Sequence, residues 1–84
     1  MNIKLLYFGR PRERLNISSE TPEVPDNIAT LGELLDWLRQ RGGLWTQELA
    51  ENRVRCALNQ EMSKPDAPVR DGDEVAIFSP ISGG

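Results

Sequence analysis

The clearest element in the sequence is an amphipathic helix that begins near residue 30. Leucines recur at positions i, i+3, i+4 and i+7, which places them on one side of a helix; they are Leu31, Leu34, Leu35 and Leu38. Thr30 and Glu33 have the spacing of a capping box, in which each side chain satisfies a backbone amide of the other. Gly42-Gly43 then predicts the end of the helix.

Strand-like runs surround this helix. The expected strands, in chain order, are Ile3–Phe8, a weaker one at Ser19–Val24, Val54–Leu58, a short stretch around Met62, and Val75–Phe78; the first, third and last have the aromatic and aliphatic composition that is typical of strands. Pro22 has no amide hydrogen to donate, so the second run is expected at a sheet edge. A helical turn over Pro11–Leu15 and a short helix with Trp45 and Leu49 complete the pattern.

This order of elements predicts an α+β fold of the β-grasp, or ubiquitin-like, type. We expect a mixed sheet of four or five strands packed on one main helix, with a second short helix. In that fold the first and last strands lie side by side and parallel at the centre of the sheet. That pairing comes with the fold assignment and is not visible in the residues. Residues 1–78 would form the domain and residues 79–84 a flexible tail.

The period-2 alternation of strands separates core-facing from outward-facing side chains. If Val75 and Ile77 face the helix, the opposite face carries an apolar patch made of Leu6, Phe8, Ala76 and Phe78. A patch of this kind usually marks a protein interface. Two other interpretations stay open: the face assignment is inverted, or a loop covers these side chains.

Composition excludes several classes of function. The chain has 84 residues with a net charge of −3, which fits one small domain and gives no basic surface for nucleic acid. It contains no histidine and one cysteine, Cys56, so an imidazole metal site, a histidine base and an intrachain disulfide are ruled out, and no metal is expected. No apolar run approaches the roughly 20 residues of a membrane span. We expect a cytoplasmic protein that does not bind membranes, with Cys56 a buried, inert thiol.

The sequence closes on Ser79-Pro80-Ile81-Ser82-Gly83-Gly84. Two glycines without side chains can enter a narrow active site and present a carboxylate for chemistry. The same sequence is also compatible with a frayed tail that has no function, or with an arbitrary boundary. Proline ends the preceding strand because it lacks a backbone donor.

Several stretches together resemble the MoaD/ThiS family of ubiquitin-like sulfur carriers, with the branch that serves molybdopterin synthase the nearer. They are Ile3–Phe8 with Arg12-Glu13, Thr30–Leu34, Ala57–Gln60, and Asp71–Gly84. The last is the most specific, because it combines an acidic glycine turn, a strand ending in Phe78 and a final Pro-x-x-Gly-Gly. Ser82 stands where threonine is common, and the stretch from Gly9 to Arg14 is more basic than the family pattern.

The resemblance implies a chemistry and a set of partners. An E1-like adenylyltransferase would use ATP to adenylate Gly84, and sulfur from a persulfide donor would convert it to a thiocarboxylate. The loaded tail, Pro80 to Gly83, would then insert into the large subunit of molybdopterin synthase, in a heterotetramer, and donate sulfur for the dithiolene of molybdopterin. The chain would bind no cofactor and would not be catalytic alone. Arg12 matches the family pattern for partner contact, and Met62 aligns with an apolar contact position.

Three alternatives remain open at this stage. The chain could carry sulfur for thiazole synthesis or tRNA thiolation, with the same tail chemistry. It could be a ubiquitin-like modifier that conjugates to lysines. It could also be a β-grasp binding module of an RNA-associated type, although the acidic net charge disfavours that class.

Overall fold

The computed structural model describes residues 1–80. In chain order the elements are β1 (Lys4–Tyr7), α1 (Gly9–Leu15), β2 (Ser19–Glu20), α2 (Leu31–Arg39), α3 (Leu44–Glu48), β3 (Arg55–Leu58), β4 (Glu61–Ser63) and β5 (Glu74–Phe78). The strands form a mixed five-stranded sheet in the order β2-β1-β5-β3-β4. The predicted β-grasp architecture is therefore confirmed.

The centre of the sheet is a parallel pair. β1 runs parallel to β5, with Leu5 opposite Val75 and Tyr7 opposite Ile77. β5 is antiparallel to β3, which is antiparallel to β4. The first and last strands thus occupy the position that the fold assignment implies.

Helix α2 covers one face of the sheet, as the leucine spacing predicts. Leu31, Leu34, Leu35 and Leu38 are all buried against Ile3, Leu5, Tyr7, Val75 and Ile77. The predicted capping box is present. The Glu33 amide donates to Thr30 Oγ1 at 3.2 Å, and the Glu33 carboxylate accepts from the Ala29 amide at 2.7 Å. The Glu33 carboxylate therefore binds the amide of Ala29, one residue before the Thr30 amide that a capping box would use.

Several sequence-based boundaries differ from the structure, and three of the differences affect the ends of α1, β1 and β2. Helix α1 begins at Gly9 (φ 61°), two residues before Pro11, because proline is tolerated anywhere in a first helical turn, where amides have no intrahelical acceptor. The second strand is two residues long, and its continuation beyond Pro22 is reduced to an isolated bridge between Asn2 and Glu23. It lies at the sheet edge, as predicted. Phe8 ends its strand and serves as the N-cap residue of α1.

An ion pair within an aromatic pocket fastens the edge strand β2. Arg41 donates to both carboxylate oxygens of Glu20, at 2.8 and 3.0 Å, and lies over the ring of Trp45 at 4.4 Å. The buried Tyr7 hydroxyl donates to the same carboxylate at 2.7 Å. Burial acts to raise the pKa of Glu20, but the hydrogen bonds from Arg41 and Tyr7 outweigh it and leave the pKa lowered. Trp37 and Trp45 pack against the core, as predicted.

Candidate functional site

The face of the sheet opposite α2 carries a continuous row of apolar side chains. Strand register places Leu6 beside Ala76, Ala76 beside Ala57, and Ala57 beside Met62. Phe78 lies two residues further along β5, and Phe8 continues the extended backbone of β1, with its amide donating to the Ile77 carbonyl. We call the set formed by Leu6, Phe8, Ala57, Met62, Ala76 and Phe78 the outer face.

The outer face is accessible in the described part of the chain. Phe8 is 46% exposed and Met62 65% exposed, while Leu6, Ala76 and Phe78 are half-buried. These side chains belong neither to the core cluster nor to the partly buried residues packed against it. The helices contact the other side, since α2 buries its leucines there and Trp45 of α3 meets the core-facing Tyr7 ring edge-on at 5.8 Å. The predicted face assignment is confirmed, and no loop of residues 1–80 buries the patch.

Charged residues border the apolar row at both ends. Lys4 and Glu74 are neighbours where β1 and β5 begin. Arg55 lies opposite Phe78 where β5 ends. An apolar centre with a polar border is the usual composition of a protein interface.

The tail starts at the end of the outer face where Phe78 lies. Ser79 and Pro80 follow Phe78 directly and help to line a hollow of about 270 Å³. Gly9 lies next to Ser79: its φ of 61° favours glycine, while a Cβ at this position would be in ordinary van der Waals contact with Ser79 Oγ at 3.6 Å. The predicted reactive residue Gly84 and the insertion residues Ile81, Ser82 and Gly83 lie outside the described residues.

A buried carboxylate stands in the same hollow. Glu48, at the end of α3, is 2% exposed and accepts a hydrogen bond from Arg10 Nε at 2.9 Å. Arg14 Nε and Arg53 Nη1 lie 3.5 and 3.8 Å from its other oxygen. The hydrogen bond from Arg10 lowers the pKa of Glu48, and the charges of all three arginines act in the same direction against the effect of burial.

Sequence reasoning missed this cluster. Arg10 and Glu48 are 38 residues apart, and no local pattern links them. A glutamate near the end of a short polar helix reads as a solvated residue. The basic character of residues 9–14 was the available signal.

Arg12 and Met62 occupy different surroundings. Arg12 lies on α1 with its side chain exposed, and its carbonyl accepts from the Asn16 amide that closes the helix. Met62 lies at the far end of the apolar row, on the edge strand β4. The structure therefore brings Met62 into the outer face, while Arg12 stands on the neighbouring helix.

Residues that could have carried other chemistry have structural roles. Cys56 is buried beside a groove of about 400 Å³ under α2, and burial raises its pKa to about 11, which keeps the thiol protonated at neutral pH. Asp71 and Asp73 accept hydrogen bonds from the amides of Asn2 and Arg70, which fixes the turn before β5. Within residues 1–80, no group of three or more potential ligands could hold a metal ion.

No helix in the described ranges combines the length and the apolar character that crossing a bilayer requires.

Comparison with known proteins gives a consistent result. The sequence model of a protein family described as "ThiS family" matches residues 5–84. A protein named molybdopterin synthase sulfur carrier subunit, from Chlamydomonas reinhardtii, is 36% identical over 86 residues, which covers 100% of both chains. Among solved structures, a putative molybdopterin converting factor, subunit 1, from Pyrococcus furiosus shares the fold, with a TM-score of 0.77 at 23% identity over 96% of this chain and 99% of that one. SAMP1 from Haloferax volcanii gives a TM-score of 0.70 at 27% identity, with 100% of both chains covered.

Proposed function

The chain belongs to the ThiS family, and we propose on this basis that it is a sulfur carrier that supplies molybdopterin synthase. The main support is the full-length similarity to a relative that bears the name of that synthase's sulfur carrier subunit. The outer face beside the start of the tail adds physical support, since it offers a docking surface next to the reacting end.

The proposed chemistry takes place at the carboxylate of Gly84. An oxygen of this carboxylate attacks the α-phosphate of ATP within an E1-like adenylyltransferase, and pyrophosphate leaves. The resulting acyl-adenylate carries AMP, a much better leaving group than hydroxide. The terminal sulfur of a persulfide donor displaces AMP to form an acyl disulfide, which a second thiol reduces to the thiocarboxylate. ATP is consumed by the activating enzyme and does not reside on this chain.

The thiocarboxylate is a nucleophile that needs no neighbouring base, because it is already ionised at neutral pH. This property fits a chain without histidine. The loaded tail inserts into the large subunit of molybdopterin synthase, where its sulfur is transferred to a pterin precursor. Residues that bind and activate the pterin belong to that subunit.

In this proposal two parts of the chain have different tasks. Six extended residues from Ser79 span about 20 Å, enough to reach a buried active site from a surface contact. The outer face, with Arg12 beside it, supplies affinity, and the tail supplies reach. Gly83 and Gly84 keep the end narrow, and Pro80, Ile81 and Ser82 are inserted behind them.

Intact-mass spectrometry tests the proposal. The protein is purified from cells that contain the activating enzyme and a sulfur donor, and from cells that lack the activating enzyme. Replacing one carboxyl oxygen by sulfur adds about 16 Da, and we expect this species in the first preparation alone. Tandem fragmentation should place the added mass on Gly84. If loading-competent cells never yield it, the chain is not a sulfur carrier.

Protein modification is the second candidate, favoured by the similarity to SAMP1, a small archaeal modifier protein. Both functions share the adenylate, and they diverge when either sulfur or a lysine amine attacks it. A modifier predicts isopeptide bonds between Gly84 and lysines of other proteins. Digestion of cell extracts followed by a search for lysines that carry the terminal residues of this chain separates the two.

A further inference from the structure

The cluster around Glu48 is unusual in its charge balance. One buried carboxylate is surrounded by the guanidinium groups of Arg10, Arg14 and Arg53, each about half exposed. One negative charge against three positive charges leaves an excess of two. Because the carboxylate is buried and the arginines are not, the excess faces solvent.

This positive surface lies at the root of the tail. Arg10, Arg53, Asn52 and Glu48 line the hollow together with Ser79 and Pro80. Phe8 of the outer face is the N-cap residue of α1, and Arg10 of the hollow follows it two residues later in the chain. A protein that receives the tail therefore lies next to the hollow, because Ser79 and Pro80, where the tail starts, line it.

We propose that the hollow receives an acidic side chain, Asp or Glu, of the large subunit that takes up the tail. The proposal rests on the proposed function. Arginine pairs with carboxylates through parallel N–H donors, and such charge-assisted bonds are stronger than neutral ones. Glu48 holds the guanidinium groups in place before the partner arrives, which reduces the side-chain entropy lost on binding.

The charge distribution favours a single carboxylate over other anionic partners. The chain as a whole is acidic, with a net charge of −3, so this cluster is a local exception. Nucleic acid would require an extended basic track. The tail's own carboxylate is the competing occupant, since the four residues after Pro80 could reach back by up to about 14 Å.

Binding kinetics with a matched control test the idea. Association with the large subunit is measured at low and high salt for the wild type, Arg53→Glu and Arg70→Glu. Arg70 is an exposed arginine in the turn before β5, at the opposite end of the sheet from the tail. Because charges at an interface rim act chiefly on the association rate, we expect Arg53→Glu to lower that rate about tenfold at low salt and less at high salt. Arg70→Glu should change it less than twofold.

A second variant, Arg53→Gln, separates an effect on binding from an effect on folding. Arg53→Gln removes the positive charge without adding a second carboxylate beside Glu48. It should show the same salt-dependent loss at a smaller size, with a melting temperature close to that of the wild type. Equal rates for Arg53→Gln, Arg70→Gln and the wild type would overturn the proposal.

Crosslinking identifies the occupant. Arg53→Lys introduces an amine that a carbodiimide can join to a carboxylate in direct contact, with loss of water. We expect an amide to an Asp or Glu of the large subunit in the complex, and none from Arg70→Lys. An amide to Gly84 in place of one to the large subunit would show that the hollow is filled by the tail of the same chain and would overturn the proposal.

The proposed function and the acidic contact fail differently. If the thiocarboxylate forms and the large subunit binds, but the Arg53 variants behave as the wild type does, the acidic contact alone is wrong. If the wild-type chain neither acquires sulfur nor binds the large subunit, both are wrong.

Discussion

Truncation of Phe8 is the most direct test of the outer face as a docking surface. Phe8 is 46% exposed and is not part of the hydrophobic core cluster. A phenylalanine presents roughly 200 Å² when free, so about 90 Å² is available to a partner. At about 25 cal/mol per Å², loss of this area on Phe8→Ala weakens binding by up to about 2 kcal/mol, roughly 30-fold in Kd.

Leu44 provides the matched control. It is 43% exposed but lies at the start of α3, on the helix side of the sheet. Leu44→Ala therefore removes a comparable apolar area from a surface that the proposed complex leaves in solvent. Phe8 makes no side-chain cap bond to α1, so both variants should keep their free energy of unfolding within about 0.5 kcal/mol of the wild type.

Calorimetric titration with the large subunit of molybdopterin synthase gives the Kd values, and urea denaturation gives the stabilities. We expect Kd to rise about tenfold to 30-fold for Phe8→Ala and to stay within twofold for Leu44→Ala. A Phe8→Ala complex as tight as the wild type, in a protein that is equally stable, would refute the assignment of the outer face. Equal weakening by both variants would also refute it, because the effect would then not be local to the face.

Four further predictions follow from the same structure. Phe78→Asp should weaken large-subunit binding by about 2 kcal/mol or more, since it places a charge in the interface, and Leu44→Asp should not; equal titration curves would contradict this. One extra residue after Gly84 displaces the carboxylate by about 3.5 Å and should lower sulfur transfer at least 100-fold in a reconstituted assay, whereas full activity would exclude the mechanism. Thr30→Ala removes the cap of α2 and should cost about 1 kcal/mol, seen as a melting temperature lower by about 4–8 °C, while Thr30→Ser should retain most of the stability. Because the folded pKa of Glu20 is lowered, its ionised form adds stability above the ordinary glutamate pKa, and that contribution disappears as the pH falls through the folded value; Glu20→Gln should therefore destabilise the protein more at pH 7 than at pH 3, and a constant difference between these pH values in urea denaturation would argue against it.

Local signals explain what the sequence predicts well. Thr30 and the leucines of α2 act within one helix, so spacing alone identifies the cap and the buried side. Alternation does the same for β1 and β5, which is why the assignment of Phe8 and Phe78 to the outer face agrees with the structure. The second strand is shorter than predicted for an equally local reason. Pro22 has no backbone amide hydrogen to donate, so the strand ends before it.

Non-local contacts explain what the sequence does not predict. The pairing of Leu5 with Val75 joins residues 70 positions apart, and it was available through the fold assignment alone. The same holds for Arg10 and Glu48, which the packing of α1 on α3 brings together. No local sequence pattern around Arg10 or Glu48 indicates that the two residues are in contact. The arginine cluster therefore emerges once the chain is folded, although each of its members is visible in the sequence.

The chemistry of the tail does not select the pathway that the chain serves. In the proposed chemistry, adenylation of the terminal glycine would be common to sulfur carriers and modifiers, and a thiocarboxylate would be the same group whether a pterin, a thiazole precursor or a tRNA base received the sulfur. Discrimination among recipients must therefore reside in the folded part, where differences in binding free energy can arise. The outer face offers apolar area, which gives affinity but little selectivity. The arginines around Glu48 offer a charge at a fixed place beside the tail, and a partner without a matching carboxylate would leave that charge uncompensated on desolvation. We therefore propose that the outer face would supply affinity, the arginine cluster selectivity and Gly84 reactivity.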